Sequence, residues 1–374
     1  MSDLTAQKTQ ILVPLNSSGT LHNHVHVSVR MKPTDLGPSG KKKLSPWNIV
    51  NEYMIQSKDG KESFHFDRVF GQHHTTEDIF HSDVQHLMAN ALKGYNVTVL
   101  AYGQTSSGKT FTIRGNEEAL GIIQLTAREL FKWVAYLKTS EGIAKSLKND
   151  HGDSLNLPSQ ESFFGCNGDL KEAEESNEEG GMIDRSISLG VSYLEIYNES
   201  VNDLLDGSKK NLDVREHKGE VFIDQLTHRA VNCSQDILDV LNEGDKLRKE
   251  AETKANSKSS RSHSVFRISV EIDDKNTHTG RRTIRSSQIQ IVDLAGSEGA
   301  SKTRSAGLRL REGGNINKSL LALSNVIWKL SQRQQMGSKH NYYINFRDSK
   351  LTRILQNSLC GRSQTAIICC ISSL

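Results

Sequence analysis

The stretch that most constrains this chain is Gly103-Gln104-Thr105-Ser106-Ser107-Gly108-Lys109-Thr110, which fits the pattern G-x-x-x-x-G-K-[ST]. The glycines let the backbone wrap tightly, so that N–H groups point at phosphate oxygens. Lys109 then reaches the β and γ phosphates of a nucleotide, and the Thr110 hydroxyl ligates magnesium. A short pattern of this kind arises by chance, so its surroundings decide. Val97 to Tyr102 (VTVLAY) precedes it, a compact apolar run that fits a buried parallel strand. A helix is expected directly after it, whose N-terminus adds partial positive charge for the phosphates. Gly121 to Leu137 again carries apolar residues at helical spacing.

Two further strings bear on the same chemistry. Val292-Asp293-Leu294-Ala295-Gly296-Ser297-Glu298 follows the alternating apolar run Gln288 to Val292. An aspartate at the end of a core strand beside a phosphate loop can hold magnesium through water. The D-x-x-G turn lets the Gly296 N–H face a γ-phosphate and sense its presence. Standing alone, D-x-x-G is a common strand-end turn. The other string is Asn256-Ser257-Lys258-Ser259-Ser260-Arg261-Ser262-His263. Clustered hydroxyls can ligate magnesium and orient a water for in-line attack, and Arg261 can pair with a carboxylate. A Ser-rich loop on its own is usually just a solvated loop.

Taken together, GQTSSGKT, NSKSSRSH and DLAGSE resemble the phosphate loop, first switch and second switch of the kinesin motor family, in family order and with comparable spacing. Asn315 to Leu320 (NINKSL) and Tyr343 to Leu355 (YINFRDSKLTRIL) are similar to that family's microtubule-facing helices. The resemblance spans about residues 24 to 373. It implies an α/β phosphate-loop NTPase with a central, mostly parallel twisted sheet and helices on both faces. The activity implied is ATP hydrolysis with Mg2+, coupled to microtubules. Arg30, Lys32 and Pro33 match the adenine-side R-x-R-P motif, with Lys32 in place of the second arginine, which keeps the charge but loses the planar fork. Phe111 is expected against the base. Arg261 and Glu298 match the salt-bridge latch that closes the switches around the γ-phosphate. Ser259 and Ser260 match the hydroxyls near magnesium and the attacking water, and Ser297 is a further candidate for holding that water. Track contacts map onto Lys318, Arg347, Lys350 and Arg353, with Lys302, Arg304, Arg309, Lys329, Arg333 and Lys339 in support. Arg347, Lys350 and Arg353 are spaced i, i+3, which predicts one shared helix face. The ending RDSKLTRILQNSL…TAIIC is most similar to the centromere-associated kinesin group and its fungal relatives.

Charge agrees with a track-binding reading. The chain's formal net charge is only +3, yet Gly299 to Arg362 holds twelve Lys or Arg against two Asp or Glu. That concentration suits an anionic partner. Nucleic acid and the acidic surface of tubulin both qualify on charge, and the resemblance favours tubulin. A signalling GTPase would need Asn-Lys-x-Asp, but Asn317-Lys318 is followed by Ser319-Leu320. Another class remains: a microtubule-binding module that does not hydrolyse ATP, which a turnover assay separates from a motor.

Elsewhere the chain reads more simply. Residues 1–23 are polar and aperiodic and are expected to form a loose tail, with the motor domain over 24–374. His24 to Val29 alternates and predicts a strand ended by Pro33, Phe64 to Phe70 another, and Ser188 to Tyr197 a third, followed by a helix ending near Leu205. Residues 140–181 carry ten Asp or Glu against three Lys, with many Ser, Gly and Asn, and are expected to be a disordered acidic insertion. Five cysteines without a Cys-x-x-Cys pair argue against a disulfide framework or a zinc site and for a reducing cytoplasm, with the cytoskeleton implied by the resemblance. No apolar run approaches the roughly 20 residues that cross a bilayer, so no membrane partner is expected. Thr365 to Leu374 (TAIICCISSL) looks like the family's last core strand. The resemblance places a final helix and neck linker beyond it, so stepping and dimerisation are expected to need segments outside this chain.

Overall fold

The computed structural model describes residues 25–33, 45–146, 183–253, 259–276, 280, 282–298, 308–336, 343–359 and 363–372. The expected tail, most of the acidic insertion and residues 34–44 lie outside the described residues. The strands are β1 (Val25–Met31), β2 (Trp47–Asn51), β3 (Met54–Ser57), β4 (Ser63–His65), β5 (Arg68–Phe70), β6 (Asn96–Tyr102), β7 (Ile183–Tyr197), β8 (Ser200–Asp203), β9 (Val214–His217), β10 (Glu220–Ile223), β11 (Arg229–Val231), β12 (Ser262–Asn276), β13 (Arg282–Asp293) and β14 (Ser363–Ile371). The helices are α1 (Thr76–Ile79), running through a π-helical turn into α2 (Gln85–Leu92), then α3 (Lys109–Arg114), α4 (Ile122–Ser146), α5 (Ser234–Thr253), α6 (Leu308–Met336), α7 (Lys350–Ile354) and α8 (Gln356–Leu359).

Val97 through Ala101 are buried on both faces of β6, which forces layers above and below. The main sheet runs β11-β7-β12-β13-β6-β14-β1-β5, with β8 paired to β7. Val97, Val99 and Ala101 face a core closed by Leu87 and Met88 of α2, Ile113 of α3, Leu125 and Leu130 of α4, and Ile237 and Leu241 of α5. Leu100, on the opposite face, meets Val292, Ile367, Leu320 and Leu323 of α6, and Leu351 and Ile354 of α7. Helices thus cover both faces, as expected.

The sheet is mixed rather than mostly parallel. The pairs β13–β6, β6–β14, β14–β1 and β1–β5 are parallel. The pairs β11–β7, β7–β12, β12–β13 and β7–β8 are antiparallel. The reason lies in the connections. The long strands β12 and β13 are joined by a short link, which can only reverse direction.

Three local expectations are corrected. After β7 the chain forms β8, not a helix: Asn198 (φ 52°) and Glu199 (φ 60°) both take the left-handed region, the two-residue turn that matches hairpin twist. Phe64 to Phe70 is not one strand. β4 pairs with β3 in a small separate sheet, while β5 joins β1 in the main one. Helix α4 continues to Ser146, inside the range assigned to the insertion, while 147–182 lies outside the described residues. Among the described residues no helix is long and apolar enough to cross a membrane.

Candidate nucleotide site

β6 and β13 are parallel neighbours, so the loops leaving their C-terminal ends emerge side by side, with the turn Ser259–Arg261 entering β12 next to them. The loop after β6 curls because Gly103 (φ 150°), Ser106 (φ 65°) and Gly108 (φ 101°) all have positive φ. At Gly103 a Cβ would lie 2.2 Å from the Cys370 carbonyl oxygen, so glycine is required for close approach to β14. Helix α3 starts at Lys109 with Gly108 as its cap and no capping side chain. Its first N–H groups are therefore available to an anion.

The Lys109 ammonium is buried and donates to the carbonyls of Gly103 (2.8 Å) and Gln104 (2.7 Å). Burial pulls its pKa down, against the opposing pull of Asp293, Cys370 and Glu298. The Thr110 hydroxyl donates to Asp293 Oδ2 (2.8 Å). Asp293 Oδ1 is buried and, among the described residues, has no hydrogen-bond partner. A buried carboxylate oxygen with spare acceptor capacity beside a threonine hydroxyl is a hard-oxygen donor set that fits Mg2+.

The second switch is stitched to both other loops. Ser297 N–H donates to Gly103 O (3.1 Å), and Gly296 N–H donates to Ser260 O (3.0 Å). The Glu298 carboxylate accepts from the Thr105 N–H (2.9 Å) and from the Thr105 hydroxyl. Burial raises the Glu298 pKa, but the Thr105 bonds and Lys109 outweigh it and hold it below the usual carboxylate range. Of the first switch, Ser260 and Arg261 are half-buried in a 3-10 turn with Ser259. Asn256 to Lys258 lie outside the described residues.

On the proposed base side, Arg30 of β1 is buried. Its Nη1 donates to the hydroxyls of Thr76 (2.9 Å) and Thr112 (2.8 Å). Its guanidinium sits 5.1 Å from the centre of the Phe111 ring, which is 38% exposed and so offers a free face for stacking. Lys32 is half-buried and Pro33 exposed where β1 leaves the sheet; the Lys32 N–H donates to Ile371 O.

Sequence reasoning missed a buried network beneath these loops. Arg114, at the end of α3, donates to Asp245 of α5, Tyr193 of β7 and Ser264 of β12. Arg248 of α5 donates to Ser262 (3.0 Å) and Ser264 (3.3 Å). It lies 3.6 Å from Glu195 and 4.0 Å from Asp293. It joins the helix leading into the first switch to the aspartate that opens the second. These residues lie far apart in sequence and follow no local pattern, so no signal in the string announces them. His263 was inside a recognised string but was assigned no role. It is buried, with Nδ1 accepting from the Ala295 N–H (3.0 Å) and Nε2 2.8 Å from Ser319 Oγ.

The basic face is only partly assembled as expected. Lys318 is exposed on α6. Arg347, Lys350 and Arg353 do not share one helix. Arg347 lies in a 3-10 turn, Phe346–Asp348, and extended Ser349 (φ −146°) separates it from α7, which carries Lys350 and Arg353. The break follows from Ser349 acting as N-cap, its side chain accepting from the Thr352 N–H. Arg347 is exposed and paired with Glu216 (3.1 Å). The Lys350 N–H is held by Glu199, and Arg353 is half-buried. Lys329 Nζ donates to Tyr343 O. Lys302, Arg304 and Lys339, and the side chains of Ser259, Arg309 and Arg333, lie outside the described residues.

Comparison with known proteins supplies the family frame for this geometry. The family model described as "Kinesin motor domain" matches residues 30–374. Centromere-associated protein E of Homo sapiens is 37% identical over 354 residues, 93% of this chain and 11% of that protein. Kinesin-like protein KIN-7I of Oryza sativa subsp. japonica is 35% identical over 353 residues, 93% of this chain and 25% of that protein. The chain therefore spans a quarter or less of these two relatives. Among solved structures, "Structure of a fast kinesin: Implications for ATPase mechanism and interactions with microtubules" matches with a TM-score of 0.71 and 31% identity, covering 93% of this chain and 85% of that one.

Proposed function

The chain belongs to the kinesin motor domain family, a family of microtubule motor ATPases, and from that premise we propose that residues 24–374 form a motor core that hydrolyses ATP in step with microtubule binding. The observation that carries this reading is the meeting of three sequence-distant loops at one sheet edge: Thr110 on Asp293, Gly296 on Ser260, and Ser297 and Glu298 on the phosphate loop. That convergence is what a γ-phosphate sensor requires, because a loop that touches both the phosphate cradle and its neighbour can respond to either.

In this reading the backbone of Gly103 to Gly108 cradles the phosphates and Lys109 pairs with their charge. Thr110 would hold Mg2+, with Ser260 as a second hydroxyl and Asp293 acting through water. Bound Mg2+ would supply charge neutralisation across the β- and γ-phosphate oxygens. Arg30 backs the Phe111 ring from below, and the exposed ring face receives the adenine, with Lys32 and Pro33 at its rim. Gly296 reads the γ-phosphate, Ser259 and Ser260 orient the attacking water, and Glu298 leaves Thr105 to pair with Arg261. Lys318, Arg347, Lys350 and Arg353 face tubulin, with no role for nucleic acid or membrane. The working compartment is the cytoplasmic cytoskeleton.

The test is steady-state ATP turnover with and without stabilised microtubules. Strong stimulation is expected. Microtubule co-sedimentation without turnover would instead leave a binding module.

A further inference from the structure

We propose that His263 is a positioning residue that ties helix α6 to both switches, one ring nitrogen bonded to each side. The inference rests on the reading of this site as a microtubule-stimulated ATPase and names the side chain that carries the stimulation.

The ring's protonation follows from its partners. A backbone N–H can only donate, so Nδ1, which faces Ala295 N–H at 3.0 Å, must be the acceptor. The proton is then on Nε2, which donates to Ser319 Oγ at 2.8 Å. Burial, with Arg248 and Lys109 nearby, pushes the imidazole down to about 3, so this neutral tautomer holds throughout the physiological range.

The position of the ring gives the two bonds their consequence. His263 is the second residue of β12, directly after the turn Ser259–Arg261, so its backbone belongs to the first switch's anchor. Ala295 precedes Gly296, whose own N–H is bonded to Ser260 O. Consecutive residues of the second switch are therefore held to the first, one by the imidazole and one by a carbonyl. Ser319 follows Lys318, an exposed cation of α6, in the next position. A proposed tubulin contact and the serine that bonds the imidazole are thus adjacent residues of α6. The ring is rigid and 3% exposed, with no room to swing. A shift of α6 must therefore move Ala295 with it or break a buried hydrogen bond. From Ala295 the displacement passes through Ser297 and Glu298 to Gly103 and Thr105. A merely space-filling histidine would need neither nitrogen satisfied by these particular partners.

Two variants cut the link from opposite ends. In Ser319→Ala the ring keeps Ala295 but loses α6. In His263→Asn the amide oxygen stands where Nδ1 stood and still accepts from Ala295, while nothing reaches Ser319. Each is expected to keep basal turnover within about twofold and to lose about tenfold of microtubule stimulation, the worth of one buried hydrogen bond. The double variant is expected to lose no more than either single one. Stimulation at the wild-type level in either single variant, or multiplied losses in the double, would overturn the proposal. If the wild-type chain shows no stimulated turnover, the ATPase reading fails instead. The link is then still read by amide hydrogen exchange on the isolated chain. Ser319→Ala is expected to speed exchange across 294–298, and unchanged exchange there would refute the link independently of activity.

Discussion

Gly103 and Gly108 occupy the same loop and both have positive φ, yet alanine should cost very different amounts at the two positions. At Gly108 the added Cβ meets nothing within 4 Å, so the penalty is backbone strain alone, about 1–3 kcal/mol. At Gly103 the same strain applies, and the Cβ also lies 2.2 Å from the Cys370 carbonyl oxygen and 2.8 Å from Ser107 Oγ. The carbonyl cannot retreat, because β14 is hydrogen-bonded to β1 on one side and β6 on the other. The loop must move instead, which adds an overpacking cost of about 1–3 kcal/mol. Gly103→Ala is therefore expected to cost roughly 2–6 kcal/mol, exceeding Gly108→Ala by about 1–3 kcal/mol. Denaturant unfolding of both variants without nucleotide measures the difference directly. Because Gly103 O also accepts from Lys109 and from Ser297, its displacement should weaken ATP binding as well. A Gly108 variant as unstable as the Gly103 variant, or more so, would refute the steric argument and leave only a general intolerance of the loop.

Glu298→Ala should retain nucleotide binding, seen with a fluorescent ATP analogue, while turnover falls at least about 100-fold; turnover at the wild-type rate would remove Glu298 from the latch. Arg267 is buried, its pKa pushed down to about 10 by burial, and among the described residues its Nε has no hydrogen-bond partner. Arg267→Met should therefore stabilise this chain by about 1–3 kcal/mol in denaturant melts, and a destabilised variant would refute the argument that burying the guanidinium costs more than its contacts return. His263 titrates at about 3 when folded against an ordinary 6.5, so the unfolded chain binds its proton first as pH falls. Its contribution to stability is intact above pH 6.5 and is lost at up to about 1.4 kcal/mol per pH unit between 6.5 and 3. His263→Asn should flatten the stability–pH curve in that window, and an unchanged slope would place the titration elsewhere.

How much of this was legible in the string depends on how local each cause is. The glycine-rich turn after β6 and the helix α3 were readable because they form one contiguous run with its residue types at fixed spacing. The buried runs of β6 and β13 were readable for a similar reason: a strand covered on both faces has few polar positions to disguise it. The hairpin at Asn198-Glu199 was not, since Val201 of β8 and the Leu204 and Leu205 that follow it can be fitted to a helical face as readily as to a strand and its exit. The break at Ser349 was missed because i, i+3 spacing describes a helix only if the chain between stays helical, and a serine there prefers to cap. The mixed sheet was missed because strand direction is set by connection lengths rather than by strand composition.

The network around Arg248 marks the deeper limit. Arg248, Glu195, Ser262, Ser264 and Asp293 come from α5 and from β7, β12 and β13, and their adjacency exists only once the sheet order is fixed. Burying an arginine and two carboxylates so close together is costly, and the cost is offset only while every partner stays in place. The same condition ties the cluster's geometry to the position of α5. Any movement of α5, which leads into the first switch, alters the distance from Arg248 to Asp293, the residue whose Oδ2 holds Thr110. Close packing between the helices and the sheet fixes these distances, so the Arg248 contacts hold α5, β7, β12 and β13 in one arrangement around Asp293.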